Sequence, residues 1–183
     1  MLNRLKALGA TLLVSGMIGC GGSGGGGSVT GLPASTGLMT LTPAQKTQLC
    51  SDVSAYVSRN ISDADGCKLS GLIVALLAVA TDPTITDADL QGSCTAAVSS
   101  CNMTPSTGEC TLGDTSTCSA DATIADLNKC ISDDTAALKS LIATIPACGS
   151  LTKAWLDANA NALGAAAPAS CTALDAKCPD IMM

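Results

Sequence analysis

The sequence contains no histidine and no phenylalanine, and only one tryptophan (Trp155) and one tyrosine (Tyr56). Without His there is no Ser-His or Cys-His pair to activate a nucleophile. The scarcity of rings removes the stacking platforms on which bases are held. It also leaves Trp155 as the one place for an aromatic interface anchor. Positive charge is short as well: 9 Lys and Arg stand against 15 Asp and Glu, for a net charge of −6. An acidic domain repels phosphate backbones, so nucleic acid is not an expected partner. No two cysteines lie closer than seven positions (Cys94 and Cys101, Cys171 and Cys178). Absence of a C-x-x-C pair excludes the dithiol redox motif and, with His missing too, disfavours a metal site, so no metal or cofactor is expected. Sustained strand alternation is absent throughout.

The amino end is rich in address information. Asn3-Arg4-Leu5-Lys6 forms a short positive head, Ala7 to Ile18 an apolar run, and Gly19 a small residue before Cys20. Head, run and small residue make a secretory signal peptide. About a dozen apolar residues are too few for a helix to span roughly 30 Å of hydrocarbon. Met17-Ile18-Gly19-Cys20 resembles the lipobox of bacterial lipoproteins, in which Leu usually stands where Met17 does. That resemblance implies lipidation of Cys20, with residues 1–19 removed and the membrane as the first partner. Several acyl chains on one residue exceed what stable anchoring needs. Gly21, where Asp would retain the chain by the sorting rule of many Gram-negative lipoproteins, implies an outer-membrane address. Loss of Arg4 and Lys6 takes the net charge from −6 to −8. Residues 20–41, dominated by Gly and Ser, are expected to form a flexible tether of about 25 Å r.m.s. reach.

With Cys20 assigned to lipid, ten of the 11 cysteines remain. An even number in an exported chain reads as disulfides. Residues 42–183 are long enough for a single cysteine-rich domain. Thr42 as N-cap, Pro43 at the first helical position and Gln45 three residues on start a helix carrying Leu49, Val53, Tyr56 and Val57 inward. Asp63-Ala64-Asp65-Gly66 is expected to break it. This word matches part of a calcium loop, but Ile61 in the first ligand position argues against calcium. A second helix, about Cys67 to Ala80, is apolar on all sides and reads as the central core helix. Asp82-Pro83 ends it. A third opens at Thr86, with Asp87 and Asp89 favouring the positive helix end. Residues 102–120 read as a turn-rich loop. Helical periodicity resumes from Thr123, with a break expected near Asp133-Asp134, then over Leu151 to Leu163 and Pro168 to Cys178.

The cysteine spacings repeat. Cys50, Cys67, Cys94 and Cys101 are 17, 27 and 7 apart, whereas Cys130, Cys148, Cys171 and Cys178 are 18, 23 and 7 apart. Ser93-Cys94-Thr95-Ala96 and Ser170-Cys171-Thr172-Ala173 share a word. The expected fold is therefore all-α, a disulfide-stapled bundle of two related three-helix halves, 42–101 and 123–178, joined by a loop. At 1.5 Å per residue, Cys50 and Cys94 would both lie about 11 Å up a three-helix half, and Cys67 and Cys101 about 22 Å up. This gives Cys50–Cys94 and Cys67–Cys101, then Cys130–Cys171 and Cys148–Cys178 by analogy, with Cys110–Cys118 stapling the loop.

Chemistry-bearing motifs are few. Ser150-Leu151-Thr152-Lys153 matches S-x-x-K, but its companion motifs are missing. The Gly21-to-Gly27 tract matches glycine-rich motifs trivially, with no strand before it. Asp87, Asp89, Asp133 and Asp134 sit where helix starts explain carboxylates. The sequence thus points away from an enzyme, towards an outer-membrane-anchored structural or protein-interaction module whose partners are envelope proteins. One rival is an apolar-ligand (lipid) carrier whose cavity is lined by the helix at 67–80. Another is inhibitor-like binding through the 102–120 loop, presenting Glu109 and Thr111 to Thr117.

Overall fold

Thr42, Ser62 and Thr123 each begin a helix by the same device. The residue three positions on turns its side chain back onto the cap: Gln45 Oε1 accepts from Thr42 N at 2.9 Å, Asp65 Oδ2 from Ser62 N at 3.3 Å, and Asp126 Oδ2 from Thr123 N at 2.9 Å. Helix starts leave N–H groups without intrahelical partners, and reciprocal caps of this kind fix where the chain turns helical. The structure, a computed structural model, describes residues 29–103, 112–164 and 166–181. Their helices are α1 (Pro43–Asn60), α2 (Asp63–Thr81), α3 (Asp87–Met103), α4 (Ile124–Thr144), α5 (Lys153–Ala158), α6 (Ala160–Leu163) and α7 (Ala169–Lys177). Short 3-10 turns occur at Leu38–Thr40, Thr115–Thr117 and Cys148–Ser150. Among the described residues there is no strand, only an isolated antiparallel bridge between Gly37 and Thr123. The fold is all-α and disulfide-stapled, as the sequence implies.

Three boundaries differ from expectation. The Asp63-Ala64-Asp65-Gly66 word does not break a helix; it is the first turn of α2, because Ser62 supplies the cap. α4 runs unbroken through Asp133-Asp134 for 21 residues, since Asp133 is held by Lys129 one turn earlier and by Ser170 of α7. The stretch from Leu151 to Leu163 is two short helices meeting at Asn159, whose backbone leaves the helical basin (φ −103°, ψ 6°) while its amide donates to Trp155 O.

Two antiparallel pairs organise the packing. α2 and α3 form a hairpin in which Gly71 lets the helices approach: a Cβ there would lie 2.7 Å from Val98 Cγ2 and 3.2 Å from Cys94 O. α4 and α7 form the other, clasped by Ser170 Oγ donating to Asp133 Oδ2 at 2.6 Å and by Lys177 against Asp126 at 3.3 Å. The hairpin packs on the second half of the chain through Gln91 Nε2 to Leu151 O and Lys68 Nζ to Ile142 O, both 3.0 Å. Leu38, Leu49, Leu72, Leu90, Ile124, Leu127, Leu151 and Leu174 are fully buried, an aliphatic core that matches a sequence without Phe.

Residues 29–41 are not tether. Val29, Leu38 and Leu41 are buried in the core cluster. Ile124 N donates to Thr36 O and Ala125 N to Ala34 O, both at 2.9 Å, so the segment supplies carbonyls to the open end of α4. Leu38 N donates to Ala122 O in return, and Gly31 N to Asp52 Oδ2 of α1. Gly and Pro in this segment mark turns of a strap laid on the domain rather than a loose linker.

Candidate functional site

Cys67 is bonded to Cys101 and Cys130 to Cys171, two pairs that helix height and the spacing analogy give. The remaining expected pairs are corrected. Cys94 is bonded to Cys148, not to Cys50, and Cys118 to Cys178, so neither Cys110–Cys118 nor Cys148–Cys178 exists. Cys50 is also disulfide-bonded, to a partner outside the described residues. The physical reason is that α1 does not complete a three-helix bundle with α2 and α3. α1 packs on α4 instead, with Tyr56 Oη donating to Ser132 Oγ at 3.4 Å. α3 turns its Cys94 face to the Cys148–Ser150 turn, where Lys153 N also donates to Asp87 Oδ1. The matched spacings therefore do not carry a matched pairing, and two bridges join one proposed half or the connecting loop to the other half.

Several carboxylates serve caps and clasps. Hydrogen bonds from Ser62 hold Asp65 below the usual carboxylate range. Burial pushes Asp126 up, but bonds from the Thr123 backbone and hydroxyl and from Lys177 outweigh it and leave it lowered. Asp133 is lowered by Ser170 and then by Lys129. Asp134, by contrast, is raised by burial. Asp89 accepts from the Thr86 hydroxyl at the start of α3. Lys153 of the S-x-x-K word reaches Pro83 O at 2.5 Å, and Ser150 lies exposed in the neighbouring 3-10 turn, so the motif does not assemble a nucleophile. Among the described residues no three His, Cys, Asp or Glu side chains are grouped to hold a metal ion.

The described part of the 102–120 loop is fastened to the domain at a few points. Residues 104–111, including Cys110 and Glu109, lie outside the described residues. Thr115 is buried, Gly113 N donates to Ile181 O, and Cys118 is tied to Cys178, so the described part is fastened to the domain at these points, while Asp114, Ser116 and Thr117 between them are exposed. Cys20 likewise lies outside the described residues.

α2 departs most from its expected role. At 19 residues it is long and apolar enough to cross a membrane by length and composition. It is not the central core helix, because it is buried on one side only. Cys67, Leu69, Gly71, Leu72 and Ala75 face inward, whereas Val74 and Leu77 are 36% and 48% exposed. From Leu69 to Thr81 the helix carries no charge. Uniform apolarity hid this face from the sequence: without a polar stripe, periodicity cannot say which side is covered. Gly71 is the available signal, since a glycine inside a helix that has no bend to make marks the side of closest approach. Among the described residues Val74 and Leu77 are the exposed large aliphatic side chains on the helices, with Met39 apart on its own turn.

No family model, curated protein or solved structure matches this chain.

Proposed function

We propose that this chain is an outer-membrane lipoprotein, anchored through Cys20, whose domain serves as a structural or protein-interaction module of the cell envelope. The observation that carries the reading is cysteine usage: all nine described cysteines are disulfide-bonded, which requires an oxidising compartment. The Gly19-Cys20 junction behind a signal-like head supplies the route there. Because the strap begins at Val29, the tether shortens to residues 20–28, with an r.m.s. reach of about 17 Å. A domain so held stays against the headgroups and presents side faces to its neighbours. Asp126, Asp133 and Lys153 are spent on caps and clasps, which favours binding over chemistry.

Flotation of membranes from cells expressing the full chain tests this, alongside the Cys20→Ser variant and metabolic labelling with a fatty acid. The wild type is expected to float and carry label, and the variant to do neither. A chain that remains in the soluble fraction with Cys20 intact overturns the anchoring.

A further inference from the structure

We infer that Cys50 of α1 is bonded to Cys110, and that Cys20 is thereby the one cysteine of the chain left outside the disulfides. The inference deepens the anchored reading, because it leaves the Cys20 sulfur available to lipid, but no step of it uses lipidation.

The four bridges described above take eight of the 11 cysteines and leave Cys20, Cys50 and Cys110. Cys50 is disulfide-bonded, so one of the other two is its partner and the last is left over. The faces of α1 separate the candidates. Residues four apart share a face of a helix, and residues two apart are about half a turn from each other. Lys46 and Cys50 therefore lie on one side of α1, and Gln48 and Asp52 on the other. The strap sits on the Gln48–Asp52 side: Gly31 N donates to Asp52 Oδ2 at 2.8 Å, and a Cβ on Gly31 would lie 3.3 Å from Gln48 Nε2. Cys20 precedes the strap by nine residues and would have to pass round a helix about 10–12 Å across to meet Cys50.

The other side of α1 is approached by the segment that follows Cys110. The turn at Thr115–Thr117 packs on the turn at Leu38–Thr40, which leads directly into α1. Bonds from Ser116 lower Asp114 first, and the charge of Lys46 adds to them. Asp114 is thus a neighbour of the residue one turn before Cys50. Leu112 packs against the core. Cys110 is two residues from Leu112 and four from Asp114, a reach of at most about 7 Å and 14 Å. The path from Cys110 to Cys50 is short and on the correct side of the helix. Forming the bond removes one hydrogen from each thiol, and the acceptor is a protein disulfide of the oxidising compartment, reduced to its dithiol in exchange. α1 has no other cysteine, so this bond is what ties it covalently into the stapled domain.

The test is a disulfide map of the full chain purified from membranes. Free thiols are alkylated first, and the non-reduced chain is cut after Lys and Arg, after Glu109 and before Asp. These cuts place Cys50 in residues 47–51 and Cys110 in residues 110–113, apart from every other cysteine. A linked pair of those two peptides is expected, with Cys20 carrying acyl chains and no cysteine alkylated. A link from 47–51 to the Cys20 peptide, with Cys110 alkylated, overturns the inference; so does a link from 110–113 to any peptide other than 47–51. The expected link with Cys20 alkylated upholds the pairing and overturns the anchoring. Cys110→Ser provides a second reading: one new reactive thiol, at Cys50, with flotation unchanged. A Cys110→Ser chain that gains no thiol overturns the pairing.

Discussion

Gly71 and Gly92 lie in the middle of α2 and α3, and the same substitution should move stability in opposite directions at the two. Each glycine costs its helix about 1 kcal/mol relative to Ala, through backbone freedom lost on folding. At Gly92 a Cβ would meet nothing within 4 Å, so Gly92→Ala should recover most of that, about 0.5–1 kcal/mol. At Gly71 the Cβ would sit 2.7 Å from Val98 Cγ2, 3.0 Å from Cys94 Sγ and 3.2 Å from Cys94 O. Val98 can rotate away, but Cys94 Sγ is fixed by its bond to Cys148, and the carbonyl moves only with the helix. Relieving the contact means separating α2 from α3 by several tenths of an ångström while Cys67–Cys101 holds one end of the pair together. Overpacking of this kind costs about 1–3 kcal/mol. After the propensity gain, Gly71→Ala should destabilise by about 1 kcal/mol, and the two variants should differ by about 2 kcal/mol. Urea unfolding followed by circular dichroism, without reductant, reads both in one series; in a domain of this size each kcal/mol moves the thermal midpoint by about 2–4 °C. Equal stabilisation of the two variants would refute the close approach of α2 to α3 at Gly71, and with it the assignment of the opposite face as the outward one.

Replacing Cys94 and Cys148 together by Ala removes a bridge spanning 54 residues; loop-closure entropy puts the loss near 4 kcal/mol, and mass mapping of disulfide-linked peptides should recover Cys94–Cys148 and Cys118–Cys178. Leu38→Ala should cost about 2–5 kcal/mol because Leu38 is fully buried, where a loose tether residue would move the urea midpoint by little or nothing. The Thr123 cap and the Lys177 clasp set a pH dependence at Asp126: against burial they hold it below 3.8, so its contribution is present above that value and is lost as pH falls through the lowered one. Lys177 is raised above 10.5, chiefly by its bond to Asp126, so its contribution is complete below 10.5 and is lost as pH climbs through the raised value. Lys177→Met should flatten the alkaline limb of the stability profile measured by urea titration across pH and only soften the acid one, because the Thr123 bonds that lower Asp126 remain; an unchanged alkaline limb would assign it to other groups.

Local chemistry was readable in the sequence where it is self-contained. Thr42-Pro43 with Gln45 announces α1 because cap, ring and box act within one turn, and the same grammar at Thr123 announces α4. Ser62 with Asp65 belongs to that grammar too, but the acidic word after it draws attention as a turn, and the start of α2 shifts by four residues. Cys67–Cys101 is legible because both cysteines belong to one hairpin, where helix height is enough. Cys94–Cys148 is not, since it depends on how a hairpin docks on a distant turn, and spacing carries no information about docking. The strap at 29–41 was hidden for a related reason: its bonds run through backbone carbonyls of Ala34 and Thr36, which leave no trace in side-chain identity. On α2, hydrophobicity identifies the helix and conceals its exposed face.

The bridges Cys67–Cys101, Cys94–Cys148 and Cys118–Cys178 overlap in sequence like links of a chain. Any point between Cys67 and Cys178 lies under at least one of them. A protease that cuts the backbone once anywhere in that interval therefore releases nothing: both pieces stay covalently joined, and the packed helices hold the cut ends near each other. Separating the domain from whatever precedes it would instead require a cut ahead of that interval, near the strap, so under the proposed anchoring the domain's release is decided at its amino end.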